Sequence, residues 1–378
     1  MKKILFPILL FGVTLFSCEG PVGTYKSVTT SPDFPLRLQL TQGGTTSFSQ
    51  LYTSRDNTDN LLASYYNRFK HRIEYYDVIS GKYIRSISLE KEGPNGVPVM
   101  ANHFPIDNDK IFCDGSNYLL VVDAQGNVQT KRKSFVANSD SIHYSFTGAR
   151  ISGTTSYGSS AYCNIKKREA VFEIMQAINL AEYQKDSLTL GVLSVNGDLP
   201  LKELITVPKP ANHTEYLGLV IFTPLINPEV CHAGNKLIYN YPYDSRFYVY
   251  DREEETTTMY NPGTAFGKPQ FEPVPRRVDY DQLRIIRDRN PLFGQLIPNP
   301  YRKEYYRFYK TEKKESKNTS ADLCLQIFDE KFNLKADVNL KQSCWARPLF
   351  LGEEVYLRAN PDDVPDEDHV YFRQLIFE

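Results

Sequence analysis

A single pattern recurs along this chain and limits what it can fold into: an apolar strand, a polar loop, a second strand ending in aromatic or aliphatic residues plus Asp, a tight turn, and a third strand. Residues 61–89 (LLASYYNRFKHRIEYYDVISGKYIRSISL) carry it most clearly, with Ser80-Gly81 at the turn. Residues 110–135 repeat it around Gln125-Gly126-Asn127, and 236–260 and 304–340 repeat it again. A weaker copy spans 170–207, where Asn196-Gly197 is a strong hairpin signal. The last copy, 353–378, lacks its outermost strand.

Each copy follows a short segment able to form one more strand, such as Val97 to Phe104, Glu229 to His232 and Trp345 to Leu351. Four strands per unit in about six units is the organisation of a β-propeller. Strand counting gives six blades, and the gap between Asp123 and Asn196 leaves room for a seventh. A pair of β-sandwiches would keep the strands without the ring. Apolar and polar residues alternate in Pro35-Leu36-Arg37-Leu38-Gln39-Leu40, so this segment can supply the strand missing from the last unit. Closure of that kind removes exposed sheet edges. The expectation is one all-β propeller domain over residues 36–378, with an insertion near 265–290 where Tyr280, Leu283 and Ile286 follow helical spacing.

Composition agrees with strands. Tyr 26, Phe 22 and Trp 1 make 13% of the 378 residues, and such side chains suit a pleated surface. With 44 basic against 45 acidic residues the net charge is -1, which excludes a polybasic nucleic-acid binder.

The amino terminus carries an address. Lys2 and Lys3 precede an apolar run from Ile4 to Phe16, thirteen residues, too short to span a bilayer core of about 30 Å as a helix, so residues 1–17 read as a signal peptide. The run ends in Leu15-Phe16-Ser17-Cys18, which resembles the lipobox of bacterial lipoproteins. That resemblance implies acylation of Cys18 and cleavage just before it. Several acyl chains anchor stably because each buried CH₂ contributes about 0.8 kcal/mol. Residues 18–35, rich in Gly, Pro, Ser and Thr, then read as the lipidated Cys and a flexible tether. Of the other cysteines (Cys113, Cys163, Cys231, Cys324, Cys344), none forms a CxxC pair, and buried strand thiols are expected.

The segment Leu89-Glu90-Lys91-Glu92-Gly93-Pro94-Asn95-Gly96-Val97, after the outer strand of a unit, resembles the EGPNGV-type signature of Domain of Unknown Function 4221, a family of envelope lipoproteins from Gram-negative gut anaerobes. Related families with TolB-like six-bladed propellers carry a similar element. The resemblance implies a propeller lipoprotein of the outer membrane, facing periplasm or cell surface, without an assigned reaction.

Catalytic patterns are absent from the text: no GxSxG elbow, Walker loop, HExxH or EF-hand loop occurs. A carboxylate pair from two blades remains open, since Asp and Glu can converge from any two strands. The six histidines show no ligand spacing. His103 and His232, each near an inner strand, are the two that a central channel could gather as metal ligands or general bases, against the plainer reading of hydrogen-bonded strand histidines. Tyr241 and Tyr243, in the loop YPYDS, are the tyrosines best placed for exposure and for stacking on a sugar or gripping a peptide. Arg347, in the segment before the last copy, completes the candidate ligand-binding set. No cofactor is predicted. Asp362, Asp363, Asp366 and Asp368 place oxygen ligands densely enough to consider Ca²⁺, but Pro365 and the missing Gly turn favour a solvated loop.

The reading is therefore a membrane-anchored, non-catalytic binding propeller for a peptide, a glycan or an envelope protein partner. The alternative is an envelope hydrolase or lyase acting on polysaccharide or peptide, with its site at the channel mouth.

Overall fold

The computed structural model describes residues 25–378 apart from 43, 45–50, 57, 99, 108, 116–117, 134–142, 145–161, 165–167, 176–184, 216–227, 274–281, 283–284, 287–288, 300, 313–320 and 341–343. Its strands form six antiparallel sheets, one per repeat unit, arranged as the blades of a propeller.

Chain order fixes the strand labels. Val28–Thr30 (β1) and Leu36–Gln39 (β2) come first. Blade one is Leu51–Arg55 (β3), Leu61–Asn67 (β4), Arg72–Asp77 (β5) and Tyr83–Ser88 (β6). Blade two is Met100–Pro105 (β7), Lys110–Gly115 (β8), Tyr118–Asp123 (β9) and Val128–Lys133 (β10). In blade three the inner position is shared by His143–Tyr144 (β11) and Tyr162–Asn164 (β12), followed by Glu169–Met175 (β13), Ser187–Ser194 (β14) and Leu201–Pro208 (β15). Blade four is Glu229–Ala233 (β16), Lys236–Asn240 (β17), Phe247–Asp251 (β18) and Thr256–Tyr260 (β19). Blade five is Leu292–Asn299 (β20), Glu304–Lys310 (β21), Leu323–Phe328 (β22) and Leu334–Asn339 (β23). Blade six is Cys344–Leu351 (β24), Glu354–Ala359 (β25) and His369–Phe377 (β26).

Blade six is completed by the start of the chain. Leu36 pairs with Phe372 and Leu38 with Val370 along β26. Leu36 and Leu38 point inward while Arg37 and Gln39 point out, the two-residue period of a half-buried strand. They join Tyr65, Tyr76, Tyr356 and Phe372 in a core cluster that spans blades one and six. Each such leucine contributes about 1.5–3 kcal/mol on burial. A second strand does the same job farther along: β1 pairs with β26 from Val28↔Phe377 to Thr30↔Leu375. Residues 28–30 were expected to belong to a flexible tether, and the structure corrects this. Val28 and Thr30 face inward and are buried, so even three residues add a strand when their partner edge is long enough.

The gap that left room for a seventh blade holds the end of blade two and most of blade three. Residues 145–161 separate β11 from β12, which pair with opposite ends of β13, so one inner strand is interrupted in sequence but not in position. The helical spacing near 280 falls largely outside the described residues. Within it the Arg289 N–H donates to the Ile285 carbonyl, one helical turn between blades four and five.

Neighbouring blades lock through a repeated contact. Gly81, at the turn between β5 and β6 with φ +69°, lies against the Arg37 carbonyl of β2, and Gly126, at the turn between β9 and β10 with φ +89°, lies against the Ser88 carbonyl of β6. The seam where the ring closes thus uses the same device as an interior joint.

Candidate functional site

Antiparallel up-and-down blades put their connections at two ends. The turns between first and second and between third and fourth strands share one end; the second-to-third and blade-to-blade connections share the other. The first set (56–60, 78–82, 106–109, 124–127, 165–168, 195–200, 234–235, 252–255, 300–303, 329–333, 352–353) runs from two to six residues. The second set includes 89–99, 176–186, 209–228, 261–291, 311–322 and 360–368. Long connections therefore gather on one face of the disc, and that face is the candidate functional surface.

One of its loops is the Glu90–Val97 segment, which is held by its own hydrogen bonds. Glu90 and Gly96 form a parallel bridge, and the Val97 N–H donates to the Glu90 carbonyl at 2.8 Å. His71 underlies it: Nε2 lies 2.9 Å from the Val97 carbonyl and 3.3 Å from that of Glu90, so Nε2 carries the proton and Nδ1, 2.6 Å from the Tyr66 hydroxyl, accepts. Lys131 of blade two donates to the Gly96 carbonyl at 3.0 Å. The tip, Lys91 to Pro94, is exposed on this scaffold.

The loop of Tyr241 and Tyr243 lies on the same face, but both rings are buried, which overturns their expected exposure. The Phe271 N–H donates to the Tyr243 carbonyl and the Ser245 N–H to the Pro269 carbonyl, so residues 269–271 roof the loop. From the other side His213 packs 5.0 Å from the Tyr241 ring and places Nδ1 2.7 Å from the Tyr243 hydroxyl. Burial holds the His213 imidazole down at about 3, hence neutral. Beside it Arg246 donates to the buried Asp244 carboxylate (Nε to Oδ2 2.8 Å) and to Asn212 (2.8 Å). Sequence alone could not show this, because the roof comes from a connection far along the chain.

His103 and His232 sit on inner strands β7 and β16 as expected, yet neither reaches a channel and they do not come together. A blade is a radial sheet, and side chains stand perpendicular to a sheet. From an inner strand they therefore point sideways, toward the neighbouring blade. His103 meets Ser64 of blade one (Oγ to Nε2 3.1 Å) with the Tyr52 ring 4.8 Å away, and burial pushes its pKa down to about 3. His232 meets blade three. Its Nε2 lies 3.1 Å from Glu169 Oε2, which also accepts from Arg252 Nη1 at 3.1 Å, while Lys202 donates to Oε1 at 3.0 Å. Arg252 also pairs with Glu203. Burial would raise the Glu169 carboxyl, but Lys202 and Arg252 outweigh it and hold it below the ordinary range. The cluster clamps blade three to blade four.

Arg347 lies on β24, with its side chain outside the described residues. The acidic loop is organised by its own neighbours. Asn360 caps the 3₁₀ turn Pro361–Asp363, and the Asp366 carboxylate accepts from Tyr371 and His369, which pull its pKa down to about 2. Among the described residues no group of three or more His, Cys, Asp or Glu is arranged to hold a metal ion. Cys113, Cys231 and Cys324 are buried thiols that form no disulfide among the described residues.

A different set of polar groups went unread in the sequence. Glu74 is fully buried and accepts from Tyr65 (2.7 Å), Tyr76 (2.6 Å), Asn67 (3.0 Å) and Arg72 (2.7 Å). Glu304 accepts from Tyr306 (2.9 Å) and Tyr25 (2.6 Å) and pairs with Lys335, and Glu354 accepts from Tyr356 (2.8 Å). The signal was Glu-x-Tyr at 74–76, 304–306 and 354–356: on a strand, residues two apart share a face. These carboxylates are structural anchors.

Comparison with known proteins bears on the whole ring. The family profile described as Domain of unknown function (DUF4221) matches residues 45–335. A crystal structure of a member of that family from Bacteroides vulgatus superposes with TM-score 0.69 at 16% identity, covering 93% of this chain and 98% of that one. A putative exported protein from Bacteroides fragilis gives TM-score 0.49 at 10% identity, covering 94% and 97%. No curated protein matches.

Proposed function

The chain belongs to the DUF4221 family, whose function is unknown, and from that premise we propose that it is a lipid-anchored envelope protein that binds a peptide, a glycan or a protein partner on the long-loop face of its propeller. The observation that supports this reading is the asymmetry of the disc. Turns of two to six residues are enough to connect strands, and the eleven strand-to-strand turns of one face run no longer than that. The other face carries connections such as 261–291, 209–228 and 89–99, and long connections on a rigid scaffold are where recognition concentrates. Anchoring is supported by the Leu15-Phe16-Ser17-Cys18 sequence, and the outer membrane is the address that the resemblance to envelope lipoproteins implies.

The catalytic alternative needs residues other than His103 and His232, whose side chains are buried between blades. Isothermal titration and a glycan array with the Cys18→Ser protein test the reading. Saturable binding, weakened by substitutions at Lys91 or Glu92 and not by substitutions in the 124–127 turn, is the expected result. Turnover of a polysaccharide or peptide without such binding would replace it by the hydrolase reading.

A further inference from the structure

Tyr25 fixes where the chain enters the propeller. Its hydroxyl donates to Glu304 Oε1 at 2.6 Å, its ring centroid lies 5.2 Å from that of Phe377, and Lys335 Nζ sits 4.6 Å over it. Arg302 covers the Phe377 ring at 4.3 Å and donates from Nε to the Glu353 carbonyl at 2.8 Å. Arg302 and Glu353 belong to the turns 300–303 and 352–353, and Glu304 and Lys335 begin or adjoin strands that leave such turns. Tyr25 is therefore held on the short-turn face, between blades five and six.

Cys18 precedes Tyr25 by seven residues, which reach at most about 25 Å when fully extended. From Phe377 beside Tyr25, the long-loop end of the same blade lies a whole strand away. That strand, β26, has nine residues and is about 30 Å long. An acyl group on Cys18 cannot be carried round the rim to the long-loop face. The surface near Tyr25 suits a headgroup layer: Tyr301 is 44% exposed, Arg302 and Lys303 follow it in the same turn, and Lys26, next to Tyr25, is exposed. Glu353 and Glu330 also lie there, so attachment comes from the anchor and not from net charge.

We propose that the short-turn face of blades five and six rests against a phospholipid surface, so that the long-loop face points away from the membrane. The proposal rests on the lipid-anchor reading of Cys18 and adds an orientation to it. The test uses full-length, acylated protein reconstituted into phosphatidylcholine vesicles containing brominated lipid, in a Cys163→Ser, Cys344→Ser background; Cys113, Cys231 and Cys324 are buried from reagent. A fluorophore is attached at Tyr301→Cys or at Asp363→Cys, the latter exposed on the long-loop face. The expected result is quenching at position 301 several-fold greater than at 363. Equal quenching, the reverse order, or no quenching at either position in protein that still sediments with the vesicles overturns the orientation and leaves the anchor standing. Wild-type protein that fails to sediment, like the Cys18→Ser control, removes the anchor reading and this proposal with it.

Discussion

A Cβ placed on Gly81 would lie 2.1 Å from the carbonyl oxygen of Arg37, across the seam where the amino-terminal strand completes the last blade. Gly81 also has φ +69°, a left-handed conformation that costs an L-residue about 1–2 kcal/mol. Gly81→Ala therefore combines strain with a clash against backbone, and a loss of about 3 kcal/mol or more in denaturant unfolding is expected. Gly197→Ala is the control: φ is +56° but nothing lies within 4 Å of its Cβ, so only the left-handed strain of about 1 kcal/mol should appear. Equal losses would show that the seam contact contributes nothing.

Ring closure itself is tested by shortening the chain. Removal of residues 1–24 leaves Tyr25, β1 and β2 in place and should preserve the melting temperature and the sedimentation profile of the intact domain. Removal of residues 1–40 uncovers the outer edge of β26 and takes Leu36 and Leu38 from the core, and is expected to give oligomers or aggregates. Leu38→Ala, at a fully buried site, should cost about 2–5 kcal/mol without changing oligomeric state.

Acid should act in two stages. His103 and His213 are buried and their pKa values, about 3, lie below the unfolded value near 6.5. The unfolded chain binds the extra protons, so their contribution is complete above about pH 6.5 and declines as pH falls toward 3. Each histidine contributes a slope of up to about 1.4 kcal/mol per pH unit. Urea unfolding from pH 7 to 4.5 should show the decline, and His103→Gln should make it shallower. A flat profile above pH 5 would contradict this.

The second stage belongs to carboxylates such as Glu74. Burial alone would raise its pKa, but the hydrogen bonds from Tyr76, Tyr65, Arg72 and Asn67 lower it below the ordinary 4.5. The folded value is then below the unfolded one, so this stability is present above about pH 4.5 and is lost beneath it. Glu74→Gln should cost about 2–4 kcal/mol at pH 7, because it removes the negative charge facing Arg72 and replaces one of the two acceptor oxygens that serve Arg72 and the two tyrosines with a donor amide. The deficit relative to wild type should shrink below pH 4.5.

The ring was legible because its signals are local. Turns such as Ser80-Gly81 and Asn196-Gly197 and the alternation from Leu36 to Gln39 each involve a few adjacent residues, and they gave six blades and the closing strand. What was missed depends on neighbours distant in sequence. Val28–Thr30 is too short to show a period and becomes a strand through Leu375 to Phe377. Tyr241 and Tyr243 are covered by residues 269–271 and by His213. His103 and His232 were correctly set on inner strands, but the direction of their side chains follows from the radial stance of the sheets, which no single segment reveals.

Sharing the sixth blade between the two ends of the polypeptide also sets a schedule. Leu36 and Phe372, its partner, lie 336 residues apart in the chain, so the other five blades can assemble before the seam is sealed. A molecule terminated early has no β26 on which β1 and β2 can dock, and its first strands stay without partners. The seam thereby reports on completeness: only a polypeptide that carries both β2 and β26 is sealed.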